Sequence, residues 1–236
     1  MTKRERFLAF ADFEPVDRVP RRAGYVDELR ATLTDYLGED PLTRFDIDGG
    51  VGRGLRPPDG YVPPDYSAYH EEFVGKEGFT IDGNGCGHLG HGFHHFTEYI
   101  SPLRKAASFR EIESYPFVDQ SSWLDDRMRA VGEEAHAAGG FAWTFVGHIY
   151  ENAWQVRGYQ EFLMDLLTQR DWAEYILDRF CASSRACAVA AAKAGYDCIM
   201  TGDDVAADLG LDELAGPAEG HQAADAVVEP ERTQVR

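Results

Sequence analysis

Two adjacent carboxylates, Asp203 and Asp204, close one short apolar run, and His148, Tyr150 and Glu151 close another. A pair of carboxylates at the end of a buried strand is costly without a task, and fixed charge acts strongly where water is excluded. Asp203 and Asp204 are therefore candidate catalytic groups, with His148, Tyr150 and Glu151 as candidate substrate-binding groups beside them. Arg21 and Arg22 offer planar forks that meet carboxylates bidentately, or form a solvated pair beside Asp17 and Glu28. Asp46 and Asp48 read either as site carboxylates or as caps of a turn. His88, His91, His94 and His95 suggest a metal by their number. Spacing alone is weak without a helix or hairpin to aim the imidazoles, so no metal site is assigned.

The elements that must position these groups follow from periodicity. Residues 141–147 form a short apolar run ending on Gly147, and 196–201 form another ending on Gly202. Between them lie an apolar face of Tyr159, Phe162, Leu163, Leu166 and Leu167 and a long helical pattern over 171–194. Strand, helix and parallel strand in succession indicate an α/β sheet, whose chemistry sits beyond the carboxyl ends of its strands.

Upstream, Thr2 to Glu5 reads as a capping box opening a short helix. Pro20 disfavours helix at Val19, so 18–24 is extended. Val26, Leu29, Leu33 and Leu37 recur at helical spacing before Gly38, and 45–48 is a short strand. Residues 72–81 and 93–100 pair as a β-hairpin outside the main sheet, and helices follow over 108–115 and 124–138.

Composition sets outer limits. The chain has 236 residues and a formal charge of -18, which argues against nucleic acid and against an anionic membrane surface as partners. No run approaches the length of a membrane-spanning helix, and no secretory signal is recognisable. The four cysteines show no C-x-x-C spacing, and three lie in apolar helix or strand contexts, which fits a reducing cytoplasm. From Asp212 onward large apolar residues nearly vanish, so 1–211 is expected to fold and 212–236 to be disordered.

Several blocks in order resemble the uroporphyrinogen decarboxylase superfamily, which holds that decarboxylase and the corrinoid-dependent methyltransferases. They are Arg4-Glu-Arg-Phe-Leu-Ala9 with Pro15 to Pro20; Asp82 with its following glycines; Ser101-Pro-Leu103; and Tyr115 to Asp119. Gly147 to Glu151 with Trp154 and Arg157-Gly158, then Gly195 to Asp197 and Gly202 to Asp204, complete the set. The resemblance implies an α/β fold that is a partial (β/α)8 TIM barrel, about the first half (strands 1–4), with a β-hairpin insertion. One choice of codons for residues 212–225, read one base later, encodes MSWPGLRKDIKPRM, which looks like the family's continuation. The tail is thus expected to be either frameshifted or a genuine alternative ending, and the coding DNA distinguishes the two.

The resemblance also implies roles. In the decarboxylase an arginine-rich first strand end grips substrate carboxylates, while an aspartate faces the pyrrole N–H groups. Arg21-Arg-Ala-Gly24 looks like the clamp, with Asp46 or Asp48 as the catalytic aspartate, and Trp154 stands where the enzyme has its tyrosine. The expected activity is cofactor-independent decarboxylation of a tetrapyrrole carboxylate. The alternative is corrinoid-dependent methyl transfer from a methyl-donor substrate, and only that alternative calls for zinc, a corrinoid or a corrinoid protein as partner. A third possibility is an inactive half-barrel or binding module, and the open edges of a half-barrel invite either association, as in a homo-oligomer, or instability. Lacking its second half, the chain is expected not to decarboxylate uroporphyrinogen.

Overall fold

The computed structural model describes residues 1–90 and 97–204. His91, His94 and His95, and the tail from 212 with its expected disorder, lie outside the described residues. At the N-terminus the expected capping box is present: the Glu5 amide donates to Thr2 Oγ1 at 3.1 Å, and the Thr2 amide donates to the Glu5 carboxylate at 2.8 Å. It opens α1 (Lys3–Ala11). Helix α2 (Asp27–Leu37) ends at Gly38, whose φ of 75° is the left-handed cap conformation that glycine adopts without a Cβ clash.

The expected strand at 45–48 is not formed. Asp40 caps a one-turn helix α3 (Pro41–Arg44) by accepting from the Leu42 amide, and Pro41 suits its first turn. The chain leaves that turn through Asp46 at φ 47°, a left-handed conformation that breaks any extended run.

Three segments make the parallel sheet: a bridge at Val51, β4 (Trp143–Phe145) and β5 (Cys198–Met200). Trp143 pairs with Cys198 and Phe145 with Met200, while Val51 pairs in parallel with Ala142. The first segment approaches β4 so closely that a Cβ on Gly52 would lie 1.7 Å from the Trp143 carbonyl oxygen. Only glycine permits this seam.

One face of the sheet is covered by α5 (Asp126–Ala137) and α8 (Arg170–Lys193), burying Met128, Ala135, Ala142, Cys187, Ala191 and Tyr196. Cys187 and Ala191 keep that contact close. On the other face Trp143, Cys198 and Met200 are half-buried and Phe145 is exposed. No closed barrel is seen among the described residues. Of the four strands expected in the half-barrel, two form with one bridged segment, and residues 18–24 contribute only an irregular chain that touches Asp48.

The hairpin insertion has three strands instead of two. β1 (Phe79–Ile81) and β3 (Thr97–Ile100) both pair antiparallel with a middle strand β2 (Gly87–Gly90) and not with each other. β2 reads Gly-His-Leu-Gly, and glycine weakens the strand signal in a sequence. A second core joins this region to α4 (Phe109–Glu113), α6 (Tyr150–Arg157), α7 (Tyr159–Thr168) and α8 around Tyr66, Ile112, Tyr115, Val156, Phe162 and Ile176. Cys86 and Cys187 are buried, Cys198 is half-buried and Cys181 is exposed, all as free thiols. No described helix is long and apolar enough to cross a membrane.

Candidate functional site at the strand ends

The carboxyl ends of β4 and β5 bring His148, Tyr150, Glu151 and Asp203 together, as their positions after two adjacent strands require. The Asp203 carboxylate reaches across to the start of α6. It accepts from the amides of Ile149 at 2.9 Å, Tyr150 at 3.0 Å and Glu151 at 2.9 Å. The helix has no side-chain cap of its own, so Asp203 satisfies its orphan N–H groups and meets the positive end of its dipole. An ionised carboxylate accepts about four hydrogen bonds, so roughly one site remains, on Oδ1. That oxygen lies 3.9 Å from His148 Nδ1.

His148 is set by its neighbours on one edge. Nδ1 is buried, 3.3 Å from Glu151 Oε2, without a hydrogen bond of good geometry, and the ring lies 4.7 Å from that of Phe145. About two-fifths of the side chain (39%) is exposed, so its other edge faces outward. Glu151 is itself braced by Gln155, whose side-chain amide donates to Oε1 at 2.9 Å. The result is an imidazole whose Nδ1 edge faces two carboxylates at the mouth of the sheet.

The other rim residues have structural surroundings. Tyr150 packs edge-on to Phe162, and burial, followed by the charges of Tyr159 and Asp203, pushes its phenol up, keeping it a donor at neutral pH. Trp154 is wedged between Tyr99 and Tyr159, at ring distances of 5.9 and 5.5 Å. Asp204 is exposed.

Asp46 and Asp48 lie at the opposite end of the sheet. They precede Val51, whereas Asp203 follows Met200, and the segments run parallel. The expectation of one rim carrying all the acidic and basic groups is therefore corrected. Asp48 is 1% exposed, and its two oxygens accept from Arg6, from both Arg18 guanidinium nitrogens and from the Arg21 amide. Its acceptor capacity is filled. Burial pushes the Asp48 carboxyl up, but the bonds from Arg18, Arg21 and Arg6 outweigh this and hold it below the usual range. Asp46 pairs with Arg18 at 2.5 Å and lies 4.0 Å from Lys3.

Arg21 contributes its backbone to Asp48, with its carbonyl accepting from the Asp48 amide at 2.9 Å, and its side chain is exposed. Arg22 lies over the Trp143 ring at 4.4 Å. Both arginines border a small apolar cavity of about 200 Å³ on the inner face of the sheet, with Phe7, Trp143 and Met200. Arg6 and Arg18 are the residues that sequence reasoning missed here. Nothing local marks them, since their shared partner is 42 and 30 residues away.

No three histidine, cysteine, aspartate or glutamate side chains among the described residues are grouped to hold a metal. The zinc that methyl transfer would call for has no fitting ligand set in this part of the chain.

No family model matches the chain, and no curated protein matches it. Among solved structures it is similar to a methyltransferase from Methanosarcina mazei, with a TM-score of 0.48 and 17% sequence identity. The match covers 87% of this chain and 60% of that one, so the chain spans less than two thirds of that protein's length.

Proposed function

We propose that the chain contributes the strand-end rim of a small-molecule enzyme in the superfamily it resembles, and that its reaction is methyl transfer. His148 is the proton-transfer group, positioned by Glu151 and Asp203. The observation that carries this choice is the state of the carboxylates. Tetrapyrrole decarboxylation calls for an aspartate free to accept from pyrrole N–H groups, and Asp48 already accepts four donors. The imidazole at the other end has an outward edge open to substrate.

Methyl transfer to a thiol or amine needs the acceptor's proton removed. The acceptor lone pair forms the new bond to the methyl carbon, its proton goes to His148, and the electron pair of the broken bond stays on the methyl donor. Two carboxylates within 4 Å stabilise the imidazolium that results. Asp203 and Glu151 act through His148, and the Tyr150 phenol is a donor beside them.

The test is anaerobic incubation of the whole chain with methylcob(III)alamin and a thiol, followed by the corrinoid spectrum. The expected result is demethylation above the thiol-only rate, lowered about 10²-fold or more by His148→Ala, the scale of general-base catalysis. Uroporphyrinogen in a parallel incubation is expected to stay intact. Decarboxylated products there, or turnover indifferent to His148, would reject the reading.

A further inference from the structure

On the helix side of the same strand ends lies a cavity of about 250 Å³ that none of the rim residues His148, Glu151 and Asp203 lines. Its walls come from Gly54 and Leu55 leaving the first parallel segment, from the end of β4, from α8 and from the turn between β1 and β2. We propose that this cavity is a second binding site, for a small planar monocarboxylic acid of about the bulk of benzoate.

The polar groups argue for a ligand. Asn84, Gln120, Asn152, Arg179, Ser183 and Ser184 converge on the cavity. Ser183 is used, donating to the Val118 carbonyl at 3.1 Å, and Arg179 donates one N–H to the Tyr175 hydroxyl at 2.9 Å. The side chains of Asn84, Gln120, Asn152 and Ser184 make no hydrogen bond to any described residue. Ser184 is 8% exposed. Four polar side chains that border one space and have no protein partner are free to meet a ligand there.

Charge and shape then select the class. The whole chain carries -18, yet no carboxylate lines this cavity and one guanidinium does. Asp119 is close enough for Arg179 to act on it, but its carboxyl is held down first by the backbone and side chain of Ser121. Amide and hydroxyl donors around a guanidinium match a carboxylate. Phe117 and Phe180 supply flat apolar walls for an unsaturated body. At ~30 Å³ per water the space holds roughly eight waters, which admits an aromatic acid and excludes a tetrapyrrole or a corrinoid. The site is thus separate from the one that would handle those substrates.

Isothermal titration of the whole chain with benzoate, and with benzamide as its neutral counterpart, tests the proposal. Benzoate is expected to bind once per chain. Arg179→Gln should weaken benzoate at least tenfold while leaving benzamide within a factor of about two, since only the charge-assisted contact is lost. Ser184→Leu, which fills the cavity, should abolish both, with thermal melting showing that the variant folds. If it does not fold, Asn152→Leu, from α6, serves instead. Absence of saturable binding up to about 10 mM benzoate, below roughly 3 kcal/mol of affinity, overturns the proposal. So does equal benzoate affinity in wild type and Arg179→Gln.

Discussion

At the scale of single residues, two of the four aspartates that sequence and resemblance marked for chemistry, Asp48 and Asp203, are engaged by structure in different ways. Asp48 joins two guanidinium groups in a buried place, so Asp48→Ala leaves Arg6 with Asp17 and Arg18 with Asp46 as their remaining counter-charges and strips the Arg21 amide of its acceptor. Removing one partner of such a group costs about 3–5 kcal/mol, and urea denaturation should show a loss on that scale. Asp203→Ala removes a cap worth about 1–2 kcal/mol and should give a correspondingly smaller loss. The contrast checks the assignment, because equal losses would mean that the two carboxylates share one kind of role. The sequence placed Asp203 at a strand end, since an apolar run closing on Gly-Asp-Asp is a local pattern. That its oxygens turn back onto amides more than fifty positions earlier is not local, and no periodicity reports it.

Elements were legible where one stretch of chain settles its own fate. Thr2 with Glu5, and Gly38 after its helix, are self-contained caps that folded as read. The misreadings occurred where tertiary pairing overrode weak local preference: β2 is a strand with glycine at both ends, and the Asp48 segment was drawn inward by arginines instead of pairing as a strand. Helix α7 shows a third kind of limit. Tyr159, Phe162, Leu163, Leu166 and Leu167 form one apolar stripe by spacing, yet Phe162 is fully buried and Leu167 is 82% exposed. Phe162→Ala should therefore cost about 3–5 kcal/mol by chemical denaturation, and Leu167→Ala less than about 0.5 kcal/mol. Gly52→Val should be at least as damaging as the former, because the parallel seam cannot accommodate a Cβ against the Trp143 carbonyl.

At the scale of the whole molecule, response to acid joins these regions. Asp48 ties α1 and the 18–21 segment to the chain entering the sheet, while Asp197, just before β5, ties Arg4, His136 and the Ala142 amide just before β4. Burial pushes the Asp197 carboxyl up, but bonds from Arg4, Ala142 and His136 hold it below the usual range, as for Asp48. Carboxylates depressed in the fold bind fewer protons than in the unfolded chain. Their stabilisation is present above about pH 4 and is lost as pH falls through the depressed values. His70 adds an earlier step. Its Nε2–H donates to the Gly85 carbonyl at 2.8 Å, while Nδ1 is buried without a partner. Burial depresses this imidazole despite the Gly85 bond, so below about pH 6.5 the unfolded chain takes up a proton that the fold refuses. Melting temperature should fall in two stages, one beginning near pH 6.5 and a steeper one below about pH 4. His70→Gln, which can still donate to Gly85, should remove the first stage and leave the second. A first stage that survives this substitution would assign it to another histidine, and stability flat from pH 7 to 3 would remove both carboxylate anchors from the account.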